Sequence, residues 1–167
     1  VGLNNVPDVT SGEPGTNTVT GPITVTGSTC WSVGSDAGKL IVTGNFVNSQ
    51  SGALCEFFLR GSAEGVWGSP LKDASASLRL MLTKTDGGTW TLNGTNTFTG
   101  RTAINEGTLI VNGALSGSSA VTVQFAGTLG GKGLITGAVT NTGTMLPGGD
   151  AAIGTMTISN ALALNSI

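Results

Sequence analysis

The segment GTWTLNGTNTFTGRTAINEGTLIVNG, residues 88–113, decides the fold of this chain. It begins with a Gly-Thr pair followed by a large apolar residue, a triplet that occurs five times in the second half: Gly88-Thr89-Trp90, Gly107-Thr108-Leu109, Gly127-Thr128-Leu129, Gly143-Thr144-Met145 and Gly154-Thr155-Met156. The first three triplets recur at intervals of about 20 residues, a period that is typical of a stacked solenoid. The last two triplets follow at shorter intervals, which indicates that Gly143 and Gly154 lie on different sides of one turn.

The composition around these triplets favours short β-strands joined by tight corners. Thr, Val and Ile favour strands, whereas Asn, Ser and the 28 glycines favour turns. Hydrophobic residues make up 38% of the 167 residues, which is enough for a buried core. Strand alternation places Trp90 and Leu92 on one face, and Leu109 and Val111 on the same face of the next copy. The sequence therefore predicts an all-β fold in which apolar residues of successive turns stack.

The regularity of the pattern divides the chain. Residues 1–16 contain prolines and turn signals with little periodicity, and we expect an N-terminal lead-in segment or loop there. Residues 17–167 are expected to form a single β-helix domain. Within it, residues 87–160 carry the regular repeat, and residues 45–85 form irregular turns. An excursion is expected at 65–76, where Pro70 argues against a central strand.

The separation of Cys30 and Cys55 in sequence is close to the length of one solenoid turn. A turn of about 20 to 25 residues returns the backbone to a point roughly 4.8 Å along the stack. This separation lies within the range of about 4.4–6.8 Å between the Cα atoms of a disulfide. The spacing therefore admits a disulfide between adjacent turns, which would indicate an oxidising, extracellular compartment. Two buried free thiols are the alternative.

Two series of charged residues recur near the same period as the triplets. The acidic series consists of Glu64, Asp86 and Glu106, and the basic series consists of Lys39, Arg60, Arg79 and Arg101. In both series, successive members are separated by about 20 residues, close to one turn of a solenoid. We interpret both as charge ladders on an edge, where opposite charges neutralise each other and discourage misassociation. An acidic stack that binds Ca²⁺ and a catalytic carboxylate pair are the alternatives.

The sequence offers little for catalysis. The chain has no His, the commonest general base and metal ligand. Its acidic residues include no tight pair such as Asp-x-Asp, although sugar hydrolases need two carboxylates about 5–10 Å apart. We therefore predict no enzyme activity, no cofactor, and no catalytic, cofactor-binding or metal-binding residues. The side chains of Trp31, Trp67 and Trp90 either line a sugar-binding face or pack in the core.

A longer pattern accompanies the triplets. It runs through Leu92-Asn93-Gly94-Thr95-Asn96-Thr97-Phe98-Thr99-Gly100, then Thr102-Ala103-Ile104, then Gly107-Thr108-Leu109-Ile110-Val111. It continues from Gly131-Lys132-Gly133 to Asn141 and in Met145-Leu146-Pro147-Gly148. On these residues the stretch 89–159 resembles the autotransporter-associated β-strand repeat. The resemblance implies a right-handed, single-stranded parallel β-helix that is secreted by a bacterium or held at its cell surface.

The repeat family implies a scaffold, so we expect a non-enzymatic extracellular structural module that self-assembles end to end into a filament or surface layer. An adhesin-like module that contacts glycans or other cells is the second hypothesis, and a polysaccharide-acting β-helix enzyme is the third. The expected partners are further copies, as a homo-oligomer or filament, or a larger parent chain, with a glycan as a further candidate. A net charge of −2 without a basic patch excludes nucleic acid. No apolar run of about 18 residues occurs, so this segment is not expected to insert into a membrane.

Overall fold

A computed structural model describes residues 2–5, 15–28, 30–52, 54–117, 119–149 and 153–165. All of its regular elements in these ranges are β-strands, and none of these residues belongs to a helix long and apolar enough to cross a membrane. The strands are β1 Gly2–Asn5, β2 Thr16–Val19, β3 Ile23–Gly27, β4 Trp31–Ser35, β5 Lys39–Val42, β6 Phe46–Gln50, β7 Leu54–Arg60, β8 Glu64–Trp67, β9 Arg79–Lys84, β10 Thr89–Leu92, β11 Thr95–Asn96, β12 Thr102–Val111, β13 Ala114–Leu115, β14 Val121–Gly131, β15 Leu134–Ile135, β16 Val139–Asn141, β17 Thr144–Pro147, β18 Thr157–Ile158 and β19 Leu162–Leu164. The predicted all-β fold is confirmed.

The strands stack in three parallel columns, and the chain visits each column once per turn. The first column contains β2, β5, β8, β10, the second half of β12, the second half of β14, and β17. The second contains β1, β4, β7, β9, the first halves of β12 and β14, β16 and β19. The third contains β3, β6, β11, β13, β15 and β18. In the third column, the segment 69–72 takes the place of a strand between β6 and β11.

The register of the first column follows the chain through six turns, from Thr16 through Lys39, Glu64, Thr89, Thr108 and Thr128 to Thr144. The turns that begin at Lys39 and Glu64 are the longest, and the turns become shorter from Thr89 onward. The parallel β-solenoid predicted from the sequence is therefore confirmed, and its right-handedness stays a prediction. We call the two longest turns, residues 39–88, the wide turns, and residues 89–127 the regular turns.

The Gly-Thr-apolar triplets mark the corner that leads into the first column. Their threonines stack on one another, and the apolar residues that follow, such as Trp90, Leu109 and Leu129, are fully buried. The last triplet, at Gly154, precedes β18 in the third column, in the same turn as the triplet at Gly143. The spacing of the triplets thus correctly predicts that these two copies lie on different sides of one turn.

The first wide turn gains its extra residues by lengthening two strands, whereas the second gains them in a loop at residues 73–78. In the first wide turn β6 has five residues and β7 has seven, whereas the next-but-one turn has a two-residue strand, β11, in the third column. Longer strands enclose a wider cross-section, which the buried rings of Phe46, Phe57 and Trp67 fill. Their ring centroids lie 5.1 to 5.8 Å apart in tilted and edge-to-face arrangements, the geometry that aromatic pairs prefer.

Part of the range 65–76, for which the sequence predicts an excursion, is regular. Residues Glu64–Trp67 form β8, with Gly65 paired to Trp90 of the next turn. A Cβ atom at Gly65 would lie 2.4 Å from the Trp90 ring, so this glycine makes room for the indole. The chain leaves the column later, in a loop at 73–78 with an antiparallel bridge between Ser75 and Leu78. In the predicted lead-in segment, Gly2–Asn5 forms β1, and residues 6–14 lie outside the described ranges.

Candidate functional site

The two cysteines lie on adjacent turns of the second column. Both thiols are free, with Cys30 exposed before β4 and Cys55 fully buried in β7. The strands pair Trp31 with Phe57, so Cys55 lies one residue before the position that faces Cys30 in this register. Burial raises the pKa of the Cys55 thiol, and the nearby Cys30 adds to that rise. The Cys30–Cys55 disulfide stays a prediction, which peptide mapping without reductant tests.

Lys39 and Glu64 are brought together by the first column. They are register partners on adjacent turns, and Lys39 Nζ lies 3.2 Å from Glu64 Oε2. Their side chains are 41% and 65% exposed, and an exposed pair of this kind contributes about 0–1 kcal/mol. The register partner of Glu64 in the next turn is Thr89. This row of register partners therefore contains one ion pair followed by threonines.

The other basic residues of the predicted ladder lie in and beside the second column, at different heights along its strands. Arg60 ends β7, and its guanidinium carbon lies 4.8 Å from the ring centroid of Phe58, a cation–π contact. Arg79 begins β9, so it lies at the opposite edge of the column, where the strands start. Arg101 Nη2 lies 3.2 Å from Glu56 Oε1, and that carboxylate also accepts a hydrogen bond from the Thr83 hydroxyl. The register therefore places these residues at three separate positions, and they do not form one column.

The acidic residues lie near the corner between the second and first columns, on successive turns. Glu64 begins β8 just after this corner, Asp86 lies in the corner of the next turn, and Glu106 in the one after. Asp86 has a left-handed backbone with φ of 62°, which Asp tolerates better than most residues. Its Oδ2 atom accepts a hydrogen bond from the backbone N–H of Gly61 at 2.9 Å. This carboxylate therefore ties two turns together.

Lys84 is the charged residue that the sequence patterns missed. It is fully buried, with Leu59 and Ile104 as its register partners in the neighbouring turns. Its ammonium uses all three N–H groups at the corner, donating to the carbonyl oxygens of Thr85 at 2.5 Å, Asp86 at 2.6 Å and Glu106 at 3.2 Å. Strand alternation from the buried Leu80 and Leu82 places residue 84 on the inner face, and that signal was available in the sequence.

The surroundings of Lys84 disfavour its charged form. Burial lowers the pKa of its ammonium to about 8, although the charges of Asp86 and Glu106 oppose the shift. The side chain therefore carries a proton at neutral pH and loses it in mildly alkaline solution. Because this ammonium binds carbonyls of two successive turns, its protonation state is expected to change the stability of the junction between the wide and the regular turns.

The loop at 73–78 is a second feature that sequence spacing did not reveal. Asp73 Oδ1 accepts a hydrogen bond from Leu80 N at 2.8 Å. Asp73 Oδ2 accepts hydrogen bonds from Thr99 N at 3.0 Å and from Thr99 Oγ1 at 2.7 Å. The carboxylate thus ties the loop both to β9 and to the next turn. An open hollow of about 630 Å³ lies beside it, with Lys72 and Arg79 in its lining.

The tryptophans do not form an exposed sugar platform, because Trp67 and Trp90 are fully buried and Trp31 is 8% exposed. Trp90 Nε1 donates to Arg60 O at 2.8 Å, and Trp31 Nε1 to Thr26 O at 3.1 Å. Within the described ranges, no three His, Cys, Asp or Glu side chains lie together in a way that could hold a metal ion. The arrangement of the described polar side chains therefore serves mainly to join neighbouring turns.

Residues 82–111 match the family model of the passenger-associated-transport-repeat. The matched segment runs from the end of β9 through β10 and β11 to the end of β12. It overlaps the residues that resemble the autotransporter-associated repeat and confirms that resemblance. Neither a curated protein nor a solved structure matches the chain.

Proposed function

We propose, from the passenger-associated-transport-repeat at residues 82–111, that the chain is a non-enzymatic structural segment of a bacterial passenger protein. In this role it is secreted or displayed at the cell surface, where it acts as a stiff spacer. The repeat and the β-solenoid fit a passenger module. Stiffness, the feature that a spacer needs, follows from the stacking of the turns.

One observation carries the proposal: a single buried apolar cluster runs without interruption from Val25 to Val139. Each turn buries its inner face against its neighbours, and strands about 4.8 Å apart pair along the stack. Six turns therefore give a rod about 29 Å long. Bending such a rod requires the loss of ladder hydrogen bonds and core contacts together, which makes the segment rigid.

The engagement of the acidic residues supports a non-enzymatic role. Asp73 and Asp86 accept hydrogen bonds from backbone N–H groups, and Glu56 binds Arg101 and the hydroxyl of Thr83. Carboxylates held in this way join turns and are poorly placed to transfer protons to a substrate.

The non-enzymatic role is tested by incubating the purified chain with a panel of neutral and acidic polysaccharides. We expect no release of reducing ends and no unsaturated products. Release of either product, abolished by replacing one of the chain's acidic residues with its amide, would show that the chain is a polysaccharide-acting enzyme.

We further propose that copies of the chain assemble end to end. Leu162 and Leu164 in the last described turn are 45% and 68% exposed. At the other end Val25 and Trp31 border a largely apolar hollow of about 480 Å³. Exposed leucines at one end and an apolar hollow at the other favour head-to-tail stacking, and a head-to-tail contact that does not close produces a filament.

The assembly is tested by electron microscopy and sedimentation velocity over a range of concentrations. We expect linear oligomers in the wild-type chain and single particles in Leu162→Asp/Leu164→Asp. Single particles of the wild type at all concentrations would contradict assembly and leave a larger parent chain as the partner of these ends.

A further inference from the structure

The cationic side chains of the described residues fall into two groups. Lys39 and Arg101 form ion pairs, Lys84 is buried, and Arg60 stacks on Phe58. The second group has no carboxylate oxygen within 4 Å in the described ranges, and it consists of Lys72, Arg79 and Lys132. Lys72 and Arg79 border the same open hollow. Two unpaired cations thus face one recess on a chain whose other described cations are mostly engaged.

The recess is built by the loop at 73–78, which interrupts an otherwise regular stack. Loops inserted into repeat proteins are frequent binding elements, because the scaffold tolerates them and holds them in place. Here Asp73 fixes the loop through its three hydrogen bonds to Leu80 and Thr99. The Gln50 amide also donates to Arg79 O at 3.0 Å, which holds the backbone at the start of β9. The recess is therefore preorganised, which lowers the entropic cost of binding a ligand.

The lining of the recess indicates the chemistry of its ligand. The two cations outnumber the Asp73 carboxylate, whose oxygens already accept three hydrogen bonds. Arg binds carboxylates and similar oxyanions through two parallel hydrogen bonds, and Lys adds a point charge. The remaining lining includes the hydroxyls of Ser75, Thr97 and Thr99, which suit a ligand rich in hydroxyl groups. A volume of about 630 Å³ lies in the range of sites for small organic molecules.

We propose that the recess between the 73–78 loop and the third column binds the acidic sugar unit of an extracellular polysaccharide, with Lys72 and Arg79 holding its carboxylate or sulfate group. Thr97 and Ser75 hydrogen-bond to the sugar hydroxyls beside that group. Recognition rests on charge and hydrogen bonds, because none of the three tryptophans offers a stacking surface. This binding site is independent of the proposed spacer role, since a rigid spacer functions with or without it.

The site is tested by titrating the ¹⁵N-labelled chain with three probes while recording amide chemical shifts. The probes are trigalacturonate, which carries carboxylates, a sulfated heparin tetrasaccharide, and neutral maltotriose. We expect saturable shifts at residues 72–79, 97 and 99 with trigalacturonate or the sulfated probe, weakened by added salt. The acidic probe that binds identifies the preferred oxyanion. Maltotriose is expected to cause no saturable shifts. Equal binding of maltotriose, or the absence of binding by both acidic probes at millimolar concentration, would overturn the proposal.

Two charge-matched variants separate a site from general electrostatic attraction. Lys72→Gln/Arg79→Gln removes both cations of the recess, and we expect its affinity for the acidic probe to fall by roughly tenfold or more. Arg60→Gln/Lys132→Gln removes two cations elsewhere and is expected to bind as the wild type does. Lys72 and Arg79 are exposed, so the first variant should fold, which its amide spectrum verifies. Equal losses of affinity in the two variants would contradict a localised site.

Discussion

The wide turns and the regular turns solve the same packing problem in different ways. The regular turns bury mainly aliphatic residues, such as Leu109 and Val111, together with the separate rings of Trp90 and Phe98. The first wide turn has longer strands in the second and third columns, the second wide turn carries the loop at 73–78, and the rings of Phe46, Phe57 and Trp67 fill the larger cross-section. Both kinds of turn share one register in the first column. The comparison shows that a solenoid can change its turn length without breaking its ladder, provided that larger side chains fill the added space.

The largest effect is expected from removing the aromatic filling of the wide turns. Trp67→Ala leaves a cavity among Phe46, Phe57 and the neighbouring turns, and we expect a loss of about 3–5 kcal/mol in the free energy of unfolding. Urea unfolding followed by circular dichroism measures the loss. Val123→Ala, in the second of the regular turns, removes less volume, and its loss in the free energy of unfolding should be clearly smaller. Equal losses for the two substitutions would contradict the view that the aromatic residues support the wider cross-section.

The junction between the two kinds of turn should respond to pH through Lys84. Its pKa falls from 10.5 to about 8 in the folded chain, so the unfolded chain binds more protons between these values. The stability that Lys84 contributes is complete above pH 10.5 and is lost as the pH falls through about 8. The free energy of unfolding of the wild type should therefore rise by up to about 3 kcal/mol from pH 8 to 10.5 relative to Lys84→Met.

The measurement compares urea unfolding of the wild type and Lys84→Met at several pH values in the presence of a reductant. Cys55, whose pKa is raised by burial, titrates in both proteins and cancels in the difference. Parallel pH profiles for the two proteins would show that the buried ammonium does not control the junction.

Gly65 tests how tightly the last wide turn packs on the first regular turn. Gly65→Ala places a methyl group 2.4 Å from atoms of the Trp90 ring, and the hydrogen bond from the indole to Arg60 O opposes a shift of that ring. We expect a loss of about 1–3 kcal/mol and a changed near-ultraviolet circular dichroism spectrum. Gly68→Ala is the matched control, because its nearest neighbour would lie 3.4 Å away. A change at Gly68 as large as that at Gly65 would reject this explanation.

The smallest effect is expected at the surface of the first column. Lys39→Gln breaks the exposed pair with Glu64, and we expect a change of less than about 0.5 kcal/mol. The melting temperature measured at low and at high salt checks this value. A loss above about 1 kcal/mol, the upper end for an exposed pair, would mean that the ion pair, and not the ladder and core alone, sets the register of the wide turns.

The sequence predicts the fold because the Gly-Thr-apolar triplets mark a corner and a buried position in each regular turn. It predicts less in the wide turns, because the longer turns change the spacing between register partners. The role of Gly65, for example, is to make room for Trp90 in the following turn. The contact between Glu56 and Arg101 joins residues that are far apart in sequence, across turns of two lengths. The role of Asp73 depends in the same way on which turn follows the loop. These contacts can be predicted only when the register is known, and the register can be predicted only when the length of each turn is known.

The most direct test is a measurement of the register itself, because one parallel ladder must run through both kinds of turn. Backbone nuclear Overhauser effects of the isotope-labelled chain should connect Lys39 with Glu64, Glu64 with Thr89, and Thr89 with Thr108. These contacts, each between a strand and its counterpart one turn further along the chain, are the predicted result. Strong Hα–Hα contacts between strands that are neighbours in sequence, which indicate antiparallel hairpins, would contradict it.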